Sequence, residues 1–172
     1  MKSNEISDLL DNKYQNNCKY KVPNVYIFNW ESDYFIQKQN EYCYEFEIKI
    51  SKADFKKDFQ KLEKHETLSN VNKTNKPNKF YYVAPSGIIN IEDVPKYAGL
   101  IIVHENKRLE TTKEAPFLHK EKIELEKKLC IKFYNYWLTE RSSRIYANNL
   151  TDKYLKNIER LENELKTLKQ KQ

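Results

Sequence analysis

Between Tyr42 and Ile50 the chain reads YCYEFEIKI, and apolar and polar side chains alternate without a break. Tyr42, Tyr44, Phe46, Ile48 and Ile50 fall on one face of an extended segment; Cys43, Glu45, Glu47 and Lys49 fall on the other. A period of two with this aromatic and β-branched content predicts a strand that buries one face. Upstream, SNEISDLLDNKYQN (3–16) carries Ile6, Leu9, Leu10 and Tyr14 at helical spacing behind Ser3 as N-cap. A turn around Pro23 separates that helix from strands at VYIFNW (25–30) and from Asp33 to Lys38. Downstream, Ser51 opens a helix over about 52–66 with Phe55, Phe59 and Leu62 as its buried stripe.

Residues 67–78, TLSNVNKTNKPN, are polar and aperiodic and read as a mobile loop placed to clamp a substrate. KFYYVAP (79–85) is nearly continuously apolar, as a buried parallel strand is, and GLIIV (99–103) reads as another. A helical turn is expected over 92–97. Strand, helix and strand in this order imply a right-handed crossover with the helix on one side of the sheet. Helical periodicity returns from His119 to about Glu140, with a break or bend expected near Ser142–Ser143 or Asn148–Asn149. A last helix follows Thr151–Asp152, and its Ile158, Leu161, Leu165 and Leu168 are spaced 3-4-3. That seam of about two heptads suits packing on the parent domain or a homo-oligomer. The pattern therefore predicts an α/β core over 1–118 and a helical extension over 119–172.

Composition narrows the classes. With 172 residues, 13 Tyr, 8 Phe and only 2 Gly, the chain has the length for a packed core, and its aromatics argue against disorder. A net charge of +6 tilts it toward polyanions. Cys18, Cys43 and Cys130 show no metal-ligand spacing and read as free thiols in a reducing compartment. No apolar run reaches membrane-spanning length, so a cytoplasmic protein without a membrane partner is expected.

The polar face of the 42–50 strand is where chemistry would sit. Glu47 and Lys49 emerge side by side, about 6–7 Å apart at Cα, and an antiparallel hairpin return brings Asp33 toward Glu47. Two carboxylates beside an ammonium are what Mg²⁺ and a phosphodiester require. Glu-x-Lys also occurs at Glu105/Lys107, Glu126/Lys128 and Glu164/Lys166, in loop or Lys-rich helical sequence. Only Glu47/Lys49 lies on an alternating strand, and the pattern alone leaves a metal site and a solvated sheet face both open. The helix N-terminus just after Lys49 favours an anion near the site. Lys52, Lys56, Lys57, Lys61 and Lys64 decorate that helix, as a solvated face or as phosphate contacts, with His65 beside them.

The order Asp33, thirteen residues, then Glu47-Ile48-Lys49 resembles the PD-(D/E)xK nuclease motif. The segments WESDYF (30–35), EFEIKISKADFKKDFQKLEKH (45–65), KFYYVAPSGII (79–89) and VPKYAGLIIV (94–103) resemble the small bacterial and phage proteins related to MmcB-like DNA-repair nucleases. The first motif departs from the superfamily in having Ser32, not Pro, before Asp33. The resemblance implies a restriction-endonuclease-like αβββαβ core, with a mixed sheet between helices, and a DNA nuclease dependent on Mg²⁺ or Mn²⁺. Asp33 and Glu47 would ligate the metal with the backbone carbonyl of Ile48, and Lys49 would position or help deprotonate the attacking water. Glu5, Glu45 and Ser51 are accessory candidates; Lys52, Lys56, Lys64 and His65 are candidate DNA contacts. A catalytically silent nuclease fold, serving as a DNA-binding or assembly module, is the competing expectation.

Overall fold

The computed structural model describes residues 1–169, apart from the side chains at 127, 131 and 132. It has two units, residues 1–125 and the helix that follows. In the first, six strands form one mixed sheet in chain order: β1 (Cys18–Tyr26), β2 (Glu31–Lys38), β3 (Cys43–Ile48), β4 (Lys79–Pro85), β5 (Ala98–Val103) and β6 (Leu109–Lys113). β1 to β3 run as an antiparallel meander, β4 and β5 add in parallel, and β6 returns antiparallel. α1 (Ser3–Lys13) sets Ile6 and Leu10 against one sheet face, where Ile36, Phe46, Ile48, Val83 and Ile101 form the main core. α2 (Lys52–Asp58) and α3 (Leu62–Ser69) cover the opposite face, with the Phe55 ring 5.0 Å from Tyr82. The protein is thus α/β, with a six-stranded mixed sheet flanked by helices and a C-terminal helix.

β3 lies in the interior of the sheet, and both of its faces are buried. Glu45, Glu47 and Lys49 are 0%, 1% and 4% exposed, which removes the solvated-face alternative. The strand stops at Ile48, and Ile50, expected on the buried face, is exposed.

Several boundaries differ from the sequence pattern. The first strand occupies 18–26 rather than 25–30. β1 is an edge strand, where Pro23 removes no hydrogen bond that the sheet needs. Ile27, Phe28 and Trp30 are buried in the connection that follows, Phe28 packing on Trp30 and Phe35. The helix expected over 52–66 is two short helices, and Phe59 and Leu62 are exposed rather than buried. The loop expected to be mobile is pinned: buried Lys76 donates to the carbonyls of Thr67, Leu68 and Asn70 and so caps the end of α3. The helical turn expected at 92–97 is a 3₁₀ turn at Ile91–Asp93. β6 has no counterpart in the sequence reading.

Residues 119–125, expected to be helical, are not. Asn78 donates to the carbonyls of His119 (3.1 Å) and Glu121 (2.8 Å), and Gln37 donates to that of Ile123 (2.7 Å). Carbonyls taken by side chains of the sheet are unavailable to an intrahelical ladder. β5 runs close beneath the chain that precedes this segment: a Cβ at Gly99 would stand 2.5 Å from the Tyr81 ring and 2.6 Å from the backbone N of Ala115.

The second unit is α4 (Glu126–Lys169), one helix of 44 residues that runs unbroken through Ser142–Ser143 and Asn148–Asn149. Its Ile158, Leu161, Leu165 and Leu168 are each more than half exposed. Residues 170–172 of the expected extension lie outside the described residues. No described helix is long and apolar enough to cross a membrane.

Candidate active site

The β2–β3 register pairs Tyr34 with Phe46, and β4 sets Tyr82 beside Glu47. Asp33 therefore emerges next to Glu47 on the face covered by α2 and α3. Its Oδ2 accepts the Ile48 backbone N–H at 2.7 Å. Burial, followed by the neighbouring Glu47 charge, pushes the half-buried Asp33 carboxyl up to about 6, against the pull of the Ile48 N–H, Lys49 and Lys64. Asp33, Glu47 and Lys49 do converge.

Glu47 is saturated with cations. Its Oε1 takes Lys49 Nζ at 2.8 Å and Lys61 Nζ at 3.1 Å, and its Oε2 takes Lys64 Nζ. Asp58, at the end of α2 and fully buried, binds the same lysines from the far side: Lys49 Nζ and Lys61 Nζ each lie 3.1 Å from its Oδ1. The Tyr82 hydroxyl donates to Asp58 Oδ2 at 2.9 Å. Burial opposes ionisation of Asp58, but His65, Lys64 and Lys49 outweigh it and hold the carboxyl well below the usual range. Burial likewise works against the Lys49 ammonium, yet Glu47 and Asp58 keep it above its ordinary value. Lys49 is consequently a fixed cation at neutral pH and a poor proton acceptor.

Glu45 shares this face at 0% exposure. Its Oε1 accepts Trp30 Nε1–H at 2.7 Å and lies 3.7 Å from Lys64 Nζ, while its Oε2 and the neighbouring Ser32 hydroxyl make no well-formed hydrogen bond. Burial pushes the Glu45 carboxyl up to about 7, with Lys64 opposing.

The remaining candidates fall elsewhere. Glu5 is exposed, and its carboxylate accepts the Lys2 backbone N–H, capping α1. The Ser51 hydroxyl accepts Asp54 N–H at 3.1 Å and caps α2, a helix of seven residues, so that N-terminus is already satisfied. Lys64 is 2% exposed and committed to Glu47, so it cannot lie on a solvent face or reach a phosphate. His65 is held between the Tyr97 hydroxyl and the Asp58 carbonyl and stacks on Phe59. Lys52, Lys56 and Lys57 are exposed as expected. Asp58 was not among the candidates, and Lys61, one of the helix lysines expected on a solvated face or against phosphate, turns onto Glu47 instead. Their spacing from Lys64, i, i+3 and i+6, is the only local signal, and it points inward once the helix breaks between Asp58 and Leu62. A cleft of about 420 Å³, lined by Tyr26, Trp30, Lys61, Leu62 and Lys64 among others, opens beside the cluster.

No group of three His, Cys, Asp or Glu side chains among the described residues is arranged to hold a metal ion. Mg²⁺ asks for less: one or two carboxylates, with waters and substrate oxygens completing the shell. Asp33 and Glu47 supply that hard-oxygen pair and fit such an ion, provided that an ammonium leaves Glu47.

The sequence matches no protein-family model and no curated protein. Among solved structures it is similar to a protein of unknown function from Silicibacter pomeroyi, at 17% identity and a TM-score of 0.48, over 70% of this chain and 75% of that one. Nothing about function follows from that likeness.

Proposed function

We propose that the protein is a metal-dependent nuclease that hydrolyses DNA phosphodiester bonds at the Asp33–Glu47–Lys49 cluster. The observation that carries this reading is the convergence of the three side chains on one buried sheet face, with Asp33 held on the backbone of the Glu47-Ile48-Lys49 segment. The order α1, three antiparallel strands, a helical crossover and a parallel β4 is in keeping with a restriction-endonuclease-like core.

Asp33 and Glu47, with the Ile48 carbonyl, would hold Mg²⁺ or Mn²⁺. Such an ion supplies Lewis acidity toward the scissile phosphate and lowers the pKa of a coordinated water. Lys49, kept protonated by Glu47 and Asp58, orients the attacking water and stabilises negative charge developing on the phosphate. Water deprotonation is not assigned to it. Asp58 and Tyr82 position Lys49 from behind. Exposed Lys52, Lys56 and Lys57 provide phosphate contacts along a bound strand. Self-association through the exposed apolar seam of α4 belongs to the same proposal.

A second reading has its own support. Because both oxygens of Glu47 are held by lysines, the cluster is neutralised without any metal, which suits a silent nuclease fold used for DNA binding. Labelled single-stranded, double-stranded and forked DNA, incubated with Mg²⁺, Mn²⁺ or EDTA, separates the two. Metal-dependent cleavage by the wild type, lost in Glu47→Ala and Lys49→Ala, supports the nuclease. Binding without cleavage supports the silent module, and cleavage that survives both substitutions removes the site.

A further inference from the structure

Three ammonium groups neutralise Glu47 and Asp58, and they are not equivalent. Lys49 and Lys64 are 5% and 2% exposed along their side chains, whereas Lys61 is 51% exposed. Lys61 also sits in the break between α2 and α3, as the residue preceding the first turn of α3. Its ammonium lies 3.1 Å from Glu47 Oε1 and 3.1 Å from Asp58 Oδ1, bridging two carboxylates that are almost fully buried. Lys61 lines the cleft of about 420 Å³, so its ammonium has open space to move into. Glu45 Oε2, completely buried on the same face, makes no well-formed hydrogen bond, and the other oxygen of that carboxyl lies 3.7 Å from Lys64 Nζ.

We propose that Lys61 is a displaceable internal counter-ion, whose ammonium takes the place of a divalent cation at Glu47 and swings into the cleft when that cation binds. The inference rests on the metal-binding reading of Asp33 and Glu47. Charge favours the exchange. One divalent ion in place of one ammonium adds a single positive charge to the cluster of Asp33, Glu45, Glu47 and Asp58 with its lysines. That charge matches one phosphodiester, and Lys61, released into the cleft, stands where the phosphate approaches. Lys64 is too deeply buried for the same movement. An exposed cation thereby keeps the site closed until metal arrives, and the metal opens a substrate contact by binding.

The test is Mn²⁺ binding to the full chain at pH 7.5, followed by electron paramagnetic resonance and calorimetry. It compares the wild type, Lys61→Met and Lys57→Met, the last removing an equal charge from the exposed part of α2. Lys61→Met is expected to bind Mn²⁺ at least ten-fold more tightly than either of the others. Equal affinity of Lys61→Met and Lys57→Met, or weaker binding by Lys61→Met, overturns the displacement while the metal site stands. Absence of Mn²⁺ binding in all three proteins overturns the displacement together with the metal site itself. A wild-type readout guards against misfolding of a variant: Mg²⁺ should raise amine acylation of Lys61 several-fold, measured by peptide mass spectrometry, and leave Lys57 unchanged. Acylation of Lys61 that is indifferent to Mg²⁺ also overturns the proposal.

Discussion

Asp33 accepts the backbone N–H of Ile48 at 2.7 Å, so a carboxylate of β2 is fastened to the middle of the Glu47-Ile48-Lys49 segment of β3. This bond fixes one acidic group against another, and burial beside Glu47, working against the bond, sets the pH range over which the cluster can bind a cation.

Metal binding should weaken on mild acidification. The Asp33 carboxyl is pushed up to about 6, first by burial and then by Glu47, and only its ionised form is a ligand. Mn²⁺ affinity is therefore expected to be flat above pH 7 and to fall by about ten-fold per pH unit below 6. Calorimetric titration between pH 5 and 8 checks this, and Asp33→Asn should abolish the dependence along with most of the affinity.

Glu45→Gln should stabilise the protein at alkaline pH. The folded pKa of Glu45, about 7, lies above its ordinary 4.5, so the folded state holds this proton more tightly than the unfolded chain. The stability contributed is complete below about 4.5 and is lost as pH rises through 7. Urea denaturation should show Glu45→Gln gaining roughly 1–3 kcal/mol on the wild type between pH 5 and pH 8.5, while Trp30 can still donate to the amide oxygen.

Asp58→Asn should be among the most destabilising changes on the α2–α3 face. The carboxylate is fully buried, accepts from Tyr82 and Lys49 and pairs with Lys61, so its removal leaves buried cations short of a counter-charge. A loss of about 3–5 kcal/mol is expected by chemical denaturation. Tyr82→Phe should cost about 1.5–3 kcal/mol, the amount for one hydrogen bond to a charged group.

Gly99→Ala should destabilise by about 1–3 kcal/mol through overpacking. The added methyl would meet the Tyr81 ring and the backbone of Ala115, and only the ring can yield. Thermal denaturation should show the lower Tm, and hydrogen exchange should localise the loosening to residues 113–118.

Local pattern made β3, β4 and β5 legible, because their side chains are nearly all apolar or strictly alternating over five or more residues. It misled where tertiary bonds compete with local preference. The apolar run VYIFNW was read as a strand, but much of it is a buried turn of aromatics after an edge strand that tolerates Pro23. His119 to Leu125 carries helical spacing, yet its carbonyls are claimed by Asn78 and Gln37.

Asp33, Glu47 and Lys49 could be singled out from the chain alone, since a strand with period two and a short antiparallel return dictates which side chains are neighbours. Asp58 could not, and Lys61 and Lys64 stood out only as possible phosphate contacts, not as counter-ions of Glu47. Along an unbroken helix Lys61 and Lys64 belong with the solvated lysines, and no Gly or Pro marks the break between Asp58 and Leu62. The chain turns there with Gln60 N–H on Lys57 O and Lys61 N–H on Asp58 O, and that turn brings both lysines onto Glu47. Alternation along a strand is a property of consecutive residues, and the sequence determined it. Which lysines compensate buried Glu47 depends on Coulomb attraction between segments 14–17 residues apart, and only the tertiary structure decided that.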